Sequence, residues 1–285
     1  MCIRDSILNE ILKIEGLSKT FTKKGFFSSN IDTVKAVNDV TFSLDEGEIL
    51  AIAGQSGSGK STIAKLILRA IEPDSGKIYF SGKEISSNVQ NLKNFRAQCQ
   101  MVYQDPYDSV NPRMKVSDII NEPLEIHNIG SKEERYQIVL KTLQQVKLEK
   151  AKEILEKFPH MLSGGQRQRV VIARALVTNP KVIIADEPVS MLDVSIRGEI
   201  LELLDEIQKK NNISIIYITH DLATAKFFAD KIIILYSGKI VESGFISEVL
   251  SNPKHPYTQA LIDAISKPDP KNLYKEKNIS WKTNS

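Results

Sequence analysis

The chain has 285 residues, 41% apolar and 26% charged, the composition of a globular protein with one large or two ordinary domains. Lys and Arg number 38 against 35 Asp and Glu, and a net charge of +3 is too small an excess for a dedicated nucleic-acid binder. No apolar run approaches the roughly 18 residues that cross a bilayer. Two cysteines, Cys2 and Cys99, cannot build a disulfide framework, so a water-soluble protein of a reducing compartment is expected.

Met1–Ser6 reads like a translated sequencing adapter, and residues 1–6 are expected to be a cloning or assembly scar. Strand patterns follow at Ile11–Glu15, Val34–Val37 and Val40–Leu44, with a turn-rich hairpin loop over Lys23–Asn30 between the first two. Ile49–Ala53 is apolar throughout, as a strand buried on both faces would be. A glycine-rich loop leads from it into a helix over Ser61–Ile71, stopped by Pro73. In the middle of the chain Ser131 and Glu134 form a capping box, and Tyr136, Val139, Leu140 and Leu143 make one apolar helix face. The last third alternates: helix 166–177, strand 182–185, helix 195–209, strand 214–219, helix 221–229, strand 231–235. That alternation implies a parallel sheet covered on both sides. Gly238 turns the chain into Lys239–Val241, and Pro253, Pro256, Pro268 and Pro270 punctuate a C-terminal extension.

Three segments carry chemistry. Gly54-Gln55-Ser56-Gly57-Ser58-Gly59-Lys60-Ser61 fits the phosphate-loop pattern, in which small residues let backbone N–H groups wrap a phosphate. Lys60 is a point charge for the β- and γ-oxygens, Ser61 offers a hydroxyl to Mg²⁺, and the helix that follows adds its positive end. Val182–Ala185 runs into Asp186 and Glu187, two carboxylates at the C-terminal end of a parallel strand, where α/β folds bind ligands. Asp186 suits the Mg²⁺ shell and Glu187 suits a general base on water. Leu162-Ser163-Gly164-Gly165-Gln166 arises by chance in roughly one chain in several thousand. It makes a second anion-receptive helix start without a lysine, which points to the nucleotide of another molecule.

Taken in order, these motifs and Thr219-His220-Asp221 resemble the ABC-type ATP-binding cassette, from about Ile11 onward. The resemblance implies an α/β fold: a P-loop NTPase (RecA-like) parallel-sheet core, an N-terminal antiparallel β subdomain, and a helical subdomain inserted over about 105–172. The cassette would span 7–250 and an extension 251–285. ATP would be bound by Gly54, Gln55, Ser56, Gly57, Ser58, Gly59, Lys60, Ser61 and Thr62, with Phe21 stacked on adenine. Gln104 would sense Mg²⁺ or water and face the permease, completing a metal set with Ser61 and Asp186. His220 would contact the γ-phosphate, so Lys60, Glu187 and His220 form the catalytic set. Ser163, Gly165 and Gln166 would contact the partner's ATP. Asp193 matches the dimer-contact loop, with Met191 where many relatives have alanine.

Gln104–Tyr107, Asn111–Met114, the loop around Lys24–Phe27 and Asn252–Leu261 resemble the oligopeptide and dipeptide importers of the peptide/nickel group. His255 in that last stretch has no nearby ligand partner in sequence. The implied partners are a second cassette, identical or related, two membrane-spanning permease subunits and an extracytoplasmic solute-binding protein, with no nucleic acid. The implied place is the cytoplasmic side of the cell membrane, held peripherally. Some relatives end in a cysteine-bearing tail that holds an iron–sulfur cluster. These residues have no cysteine after Cys99, which is expected of a member without the tail or of a truncated sequence. The alternatives are import of nickel or another solute, a catalytically silent cassette, or a soluble cassette acting on ribosomes or DNA. Intact Glu187, His220 and Leu162–Gln166 argue against the silent form, and a single cassette without a coiled-coil insertion argues against the last.

Overall fold

The structure is a computed structural model that describes residues 10–24, 31–86 and 88–266. Met1–Ser6, the Gly25–Asn30 part of the hairpin loop, Pro268 and Pro270 lie outside the described residues. The N-terminal part contains β1 (Glu10–Lys24), β2 (Ile31–Asp45), β3 (Ile49–Ala53), α1 (Lys60–Ile67), β4 (Ser75–Phe80), β5 (Lys83–Glu84), α2 (Val89–Gln98) and β6 (Cys99–Val102). The helical middle comprises α3 (Val116–Ile126), α4 (Lys132–Gln145), α5 (Ala151–Leu155), a 3-10 turn (Pro159–Met161) and α6 (Gly164–Leu176). Then come β7 (Val182–Asp186), α7 (Val194–Asn211), β8 (Ser214–Thr219), α8 (Leu222–Phe228), β9 (Lys231–Tyr236), β10 (Lys239–Phe245), α9 (Ile246–Ser251) and α10 (Pro256–Ser266).

Two sheets result. The antiparallel one has the order β2-β1-β4-β5, and the other runs β10-β9-β3-β8-β7-β6, parallel except for the β10–β9 hairpin. Every residue of β3, β7 and β8 is buried, because each strand packs side chains into both neighbouring layers. Leu50, Ile52, Ile184 and Ile216 point into the core shared with α1 and the antiparallel sheet. Ala51, Ala53, Ile183 and Ile215 face the other core, which contains residues of α3, α4, α6 and α7.

The N-terminal strands are longer than their patterns predict. Val34–Val37 and Val40–Leu44 belong to one strand, β2, interrupted where Asp39 takes φ +54 and the pairing with β1 slips around Leu17. The bulge flips the alternation, which is why the pattern splits in two. Helix α1 stops at Ile67, four residues short of the predicted Ile71. Arg69 (φ +52) closes it, with Arg69 N–H donating to Leu66 O and Ala70 N–H to Lys65 O, the Schellman pattern on a non-glycine residue. The predicted capping box of α4 is present: Ser131 Oγ accepts the Glu134 N–H at 3.3 Å and Glu134 Oε2 accepts the Ser131 N–H at 2.7 Å.

The two sheets meet at the β9–β10 turn. Asn38 N–H donates to Gly238 O and Gly238 N–H donates to Ser58 O. At φ +78, a Cβ on Gly238 would sit 2.8 Å from the Ala36 carbonyl oxygen. Gly238→Ala should therefore lower unfolding stability by about 1–3 kcal/mol, read from the urea midpoint. An unchanged midpoint would show that the turn can shift without cost.

Candidate functional site

The phosphate loop hangs between the end of β3 at Ala53 and the start of α1 at Lys60. Gly59 caps α1 at φ +107 without a side-chain bond, and a Cβ there would run into the Ala36 carbonyl oxygen. Only glycine fits that close approach. Lys60 is 5% exposed, and its ammonium donates to Gly54 O at 2.7 Å and Gln55 O at 2.9 Å. Burial pulls its pKa down, partly offset by the Glu187 and Asp186 carboxylates. Ser58 Oγ is buried with no hydrogen-bond partner among the described residues.

The other groups arrive at the same sheet edge because β3, β6, β7 and β8 run parallel. In register, Ala53 pairs with Thr219, Asp186 with Ile218 and Ala185 with Val102. Gly54, Gln104, Glu187 and His220 all lie just beyond those strand ends. Glu187 adopts φ +46, an uncommon conformation for a non-glycine residue, held by its N–H on Ile218 O and by Ser190 on its carbonyl. Its Oε1 lies 3.0 Å from His220 Nδ1, and its Oε2 accepts the Gln104 amide at 3.1 Å. The hydrogen bond from His220 pulls the Glu187 pKa down, and the same bond raises that of His220.

Asp186 is 5% exposed. Burial raises its pKa while the Ser61 hydroxyl beside it works the other way, and its Oδ1 has no hydrogen-bond partner among the described residues. An orphaned carboxylate oxygen next to a serine hydroxyl is a hard-oxygen donor set that fits magnesium. Among the described residues no cluster of three His, Cys, Asp or Glu side chains is placed to hold a metal. An ion here would therefore need phosphate oxygens as well.

A cleft of about 610 Å³ is lined by the loop residues Gly54–Gly57 and Gly59–Thr62 together with Gln104, Glu187, His220 and Leu261. A second, of about 580 Å³, shares Ser61 and Gln104 and adds Asp186, Lys65 and Asp108. The expected loop, carboxylates, glutamine and histidine thus converge. Phe21 lines neither cleft; it is 44% exposed on β1, with the Lys19 ammonium 5.9 Å from its ring. Ser163, Gly165 and Gln166 also lie apart, at the start of α6. There Ser163 Oγ accepts the Gln166 N–H and Gln166 Oε1 accepts the Ser163 N–H. Leu261 and Tyr257, whose hydroxyl accepts the Gln55 N–H at 3.1 Å, are site neighbours that the motif pattern does not announce. Their only sequence signal is the proline-marked extension they belong to. His255 Nδ1 accepts the Tyr257 N–H and so acts as a helix cap.

A phosphate loop at the C-terminal edge of a parallel sheet, faced by two strand-end carboxylates, defines a P-loop nucleotide-binding protein. The ABC transporter family profile matches residues 37–190, and the profile of the oligopeptide/dipeptide transporter C-terminal region matches 241–283. The oligopeptide transport ATP-binding protein OppF of Bacillus subtilis is 44% identical over 265 residues, 92% of this chain and 84% of that protein. OppF of Streptococcus mutans is 43% identical over 263 residues, 92% of this chain and 83% of its own length. Among solved structures, the dimeric post-hydrolysis ATP-binding cassette MJ0796 bound to ADP and Pi superposes with a TM-score of 0.72 at 30% identity. That match covers 82% of this chain and 98% of the other. For cbiO1 of Clostridium perfringens, part of the cbiONQ complex, the TM-score is 0.73 at 28% identity, over 92% and 97%. The chain belongs to the ABC transporter family, as an ATP-binding subunit with ATPase activity.

The Glu187–His220 pair has a defined pH window. The raised His220 pKa means its contribution is complete below the ordinary value of 6.5 and is lost as pH rises through the folded value. The lowered Glu187 pKa means its contribution is complete above 4.5 and is lost as pH falls through the folded value. An NMR titration should place the His220 midpoint above 6.5 and move it downward in Glu187→Gln. An identical midpoint in both proteins would break the pairing.

Proposed function

We propose that this subunit hydrolyses ATP to energise peptide import, docked on the cytoplasmic face of the cell membrane against two permease subunits. A second cassette, identical or related, would complete the ATP sites, and an extracytoplasmic solute-binding protein would deliver the peptide. The assignment to peptides rests on the extension, whose family profile is that of oligopeptide and dipeptide transporters, and on relatives named for oligopeptide transport. Among the described residues no helix is long and apolar enough to cross a membrane, which suits a subunit that docks.

The observation that carries the chemistry is Glu187, clamped between Gln104 and His220 at the edge of the cleft lined by Lys60. The lowered pKa keeps it a carboxylate at neutral pH, able to accept a hydrogen bond from water but only weakly basic. That suffices, because phosphoryl transfer passes through a loose transition state in which positioning and charge neutralisation dominate. Lys60 leaves the loop carbonyls for the β- and γ-oxygens, and His220 reaches the γ-phosphate while holding Glu187 in place. Gln55, Ser56, Gly57, Ser58 and Thr62 contribute to the phosphate cradle, and Phe21 stacks on adenine. Ser61, Asp186 and Gln104 would hold a magnesium ion, which supplies positive charge to the phosphate oxygens. Ser163, Gly165 and Gln166, outside both clefts of their own chain, serve the nucleotide of the second cassette. The division of the chain follows: a cassette over 7–250 with its helical subdomain at about 105–172, and an extension over 251–285.

Phosphate release from the reconstituted transporter tests this. Glu187→Gln should lower turnover by about 10²–10⁴-fold while still binding ATP and accumulating as a closed cassette pair on size-exclusion chromatography. Lys60→Ala should weaken ATP binding itself. Wild-type turnover by Glu187→Gln would remove Glu187 from the water-activating role.

A further inference from the structure

Tyr257 lies 202 positions from Gln55, yet its hydroxyl accepts the Gln55 backbone N–H at 3.1 Å. Its side chain is completely buried, and its ring packs on Tyr236 at 4.4 Å between centroids. The segment before it is pinned to the sheet by one carboxylate: Glu242 on β10 accepts the N–H of Lys254 at 2.8 Å and that of His255 at 3.0 Å. One helical turn past Tyr257, Leu261 is also buried and lines the loop cleft. Two side chains on one face of α10 therefore bear on the phosphate loop.

The Gln55 backbone is where these contacts meet. Its N–H is held by Tyr257, while its carbonyl accepts Ser58 N–H at 3.2 Å and the Lys60 ammonium at 2.9 Å. A phosphate that draws Lys60 away removes one of those restraints. The Tyr257 bond comes from outside the loop and does not depend on where Lys60 points.

We propose that Tyr257 is a positioning residue for the phosphate loop, through which the C-terminal segment at 252–261 and the bound nucleotide report on each other. The proposal rests on the reading of Gly54–Thr62 as the nucleotide loop. If docking of the segment favours the binding geometry, nucleotide favours docking by the same factor, because coupling between sites is reciprocal.

Tyr257→Phe tests it in the full chain within the reconstituted transporter, since it keeps the ring on Tyr236 and deletes only the acceptor. Leaving the Gln55 N–H unpaired should raise the KM for ATP about fivefold or more, with kcat within about twofold. The rise in Tm produced by ATP should shrink, and ATP-dependent hydrogen-exchange protection of residues 252–261 should disappear. Glu242→Gln, which loses one carboxylate acceptor away from the loop, should move the same readouts in the same direction and covers the case in which Tyr257→Phe does not fold. An unchanged KM, with Tm lowered equally with and without ATP, would reduce Tyr257 to a packing residue and overturn the proposal. Lys60→Ala separates the two readings: if it kept wild-type ATP affinity, the loop assignment itself would fail, whatever Tyr257→Phe did.

Discussion

A loop that binds an anion with its own amides has few of them to spare for holding itself together. Its shape must be imposed from outside, and much of this fold can be read as the means of doing so. Below the loop, β3 supplies a rigid, fully buried stalk. On one side the Ala36 carbonyl presses against Gly59, and the β9–β10 turn donates the Gly238 N–H to Ser58 O. On another side Tyr257 takes the Gln55 N–H. Residues from β2, from the β9–β10 turn and from α10 thus converge on the loop at Gly59, Ser58 and Gln55. The antiparallel sheet supports the loop twice, through the Ala36 carbonyl at Gly59 and through the Asn38–Gly238 bond, which ties β2 to the turn that supports Ser58.

The same constraint shapes the electrostatics. Lys60 and Asp186 are both about 5% exposed and burial disfavours both charges, lowering one pKa and raising the other. Neither buried charge has the full set of hydrogen bonds that would offset its desolvation. Glu187 adds a strained backbone at φ +46. Unfavourable terms gathered at one sheet edge are what a binding site looks like before its ligand arrives, since a ligand carrying phosphate and a cation relieves both charges together. By contrast, Glu187 and His220 are satisfied by each other and by Gln104, so they are organised in advance.

How much of this was legible in the sequence depended on range. The phosphate loop, the apolar run into Asp186 and the Ser131 capping box are local patterns, and each appears where its residues predict. Helix α2 was not predicted because its residues are mostly polar and it buries only Phe95, leaving no apolar stripe to recognise. Strand β6 is four residues long, too short for a pattern, although it delivers Gln104. The early stop of α1 depends on Arg69 tolerating a left-handed backbone, helped by its bonds to Glu72 and the Ile85 carbonyl. The Tyr257–Gln55 contact joins residues 202 positions apart, and no spacing rule reaches that far.

The position of Ser163–Gln166 bears on the direction of the proposed cycle. In a single chain the cleft holds Lys60, Glu187 and His220, while the α6 start lies elsewhere with its first turn already closed by the mutual Ser163–Gln166 capping bonds. In the proposed pair, a nucleotide in the cleft would meet only part of its binding surface within one chain, and the second cassette would supply the remainder. Contacts made only after closure are the differential interaction that lets a ligand shift a two-state equilibrium. In the proposed pair, with His220 reaching the γ-phosphate, the diphosphate product would forfeit that contact, and hydrolysis would favour reopening. On that reading Glu187, already held by Gln104 and His220, would need only to order water.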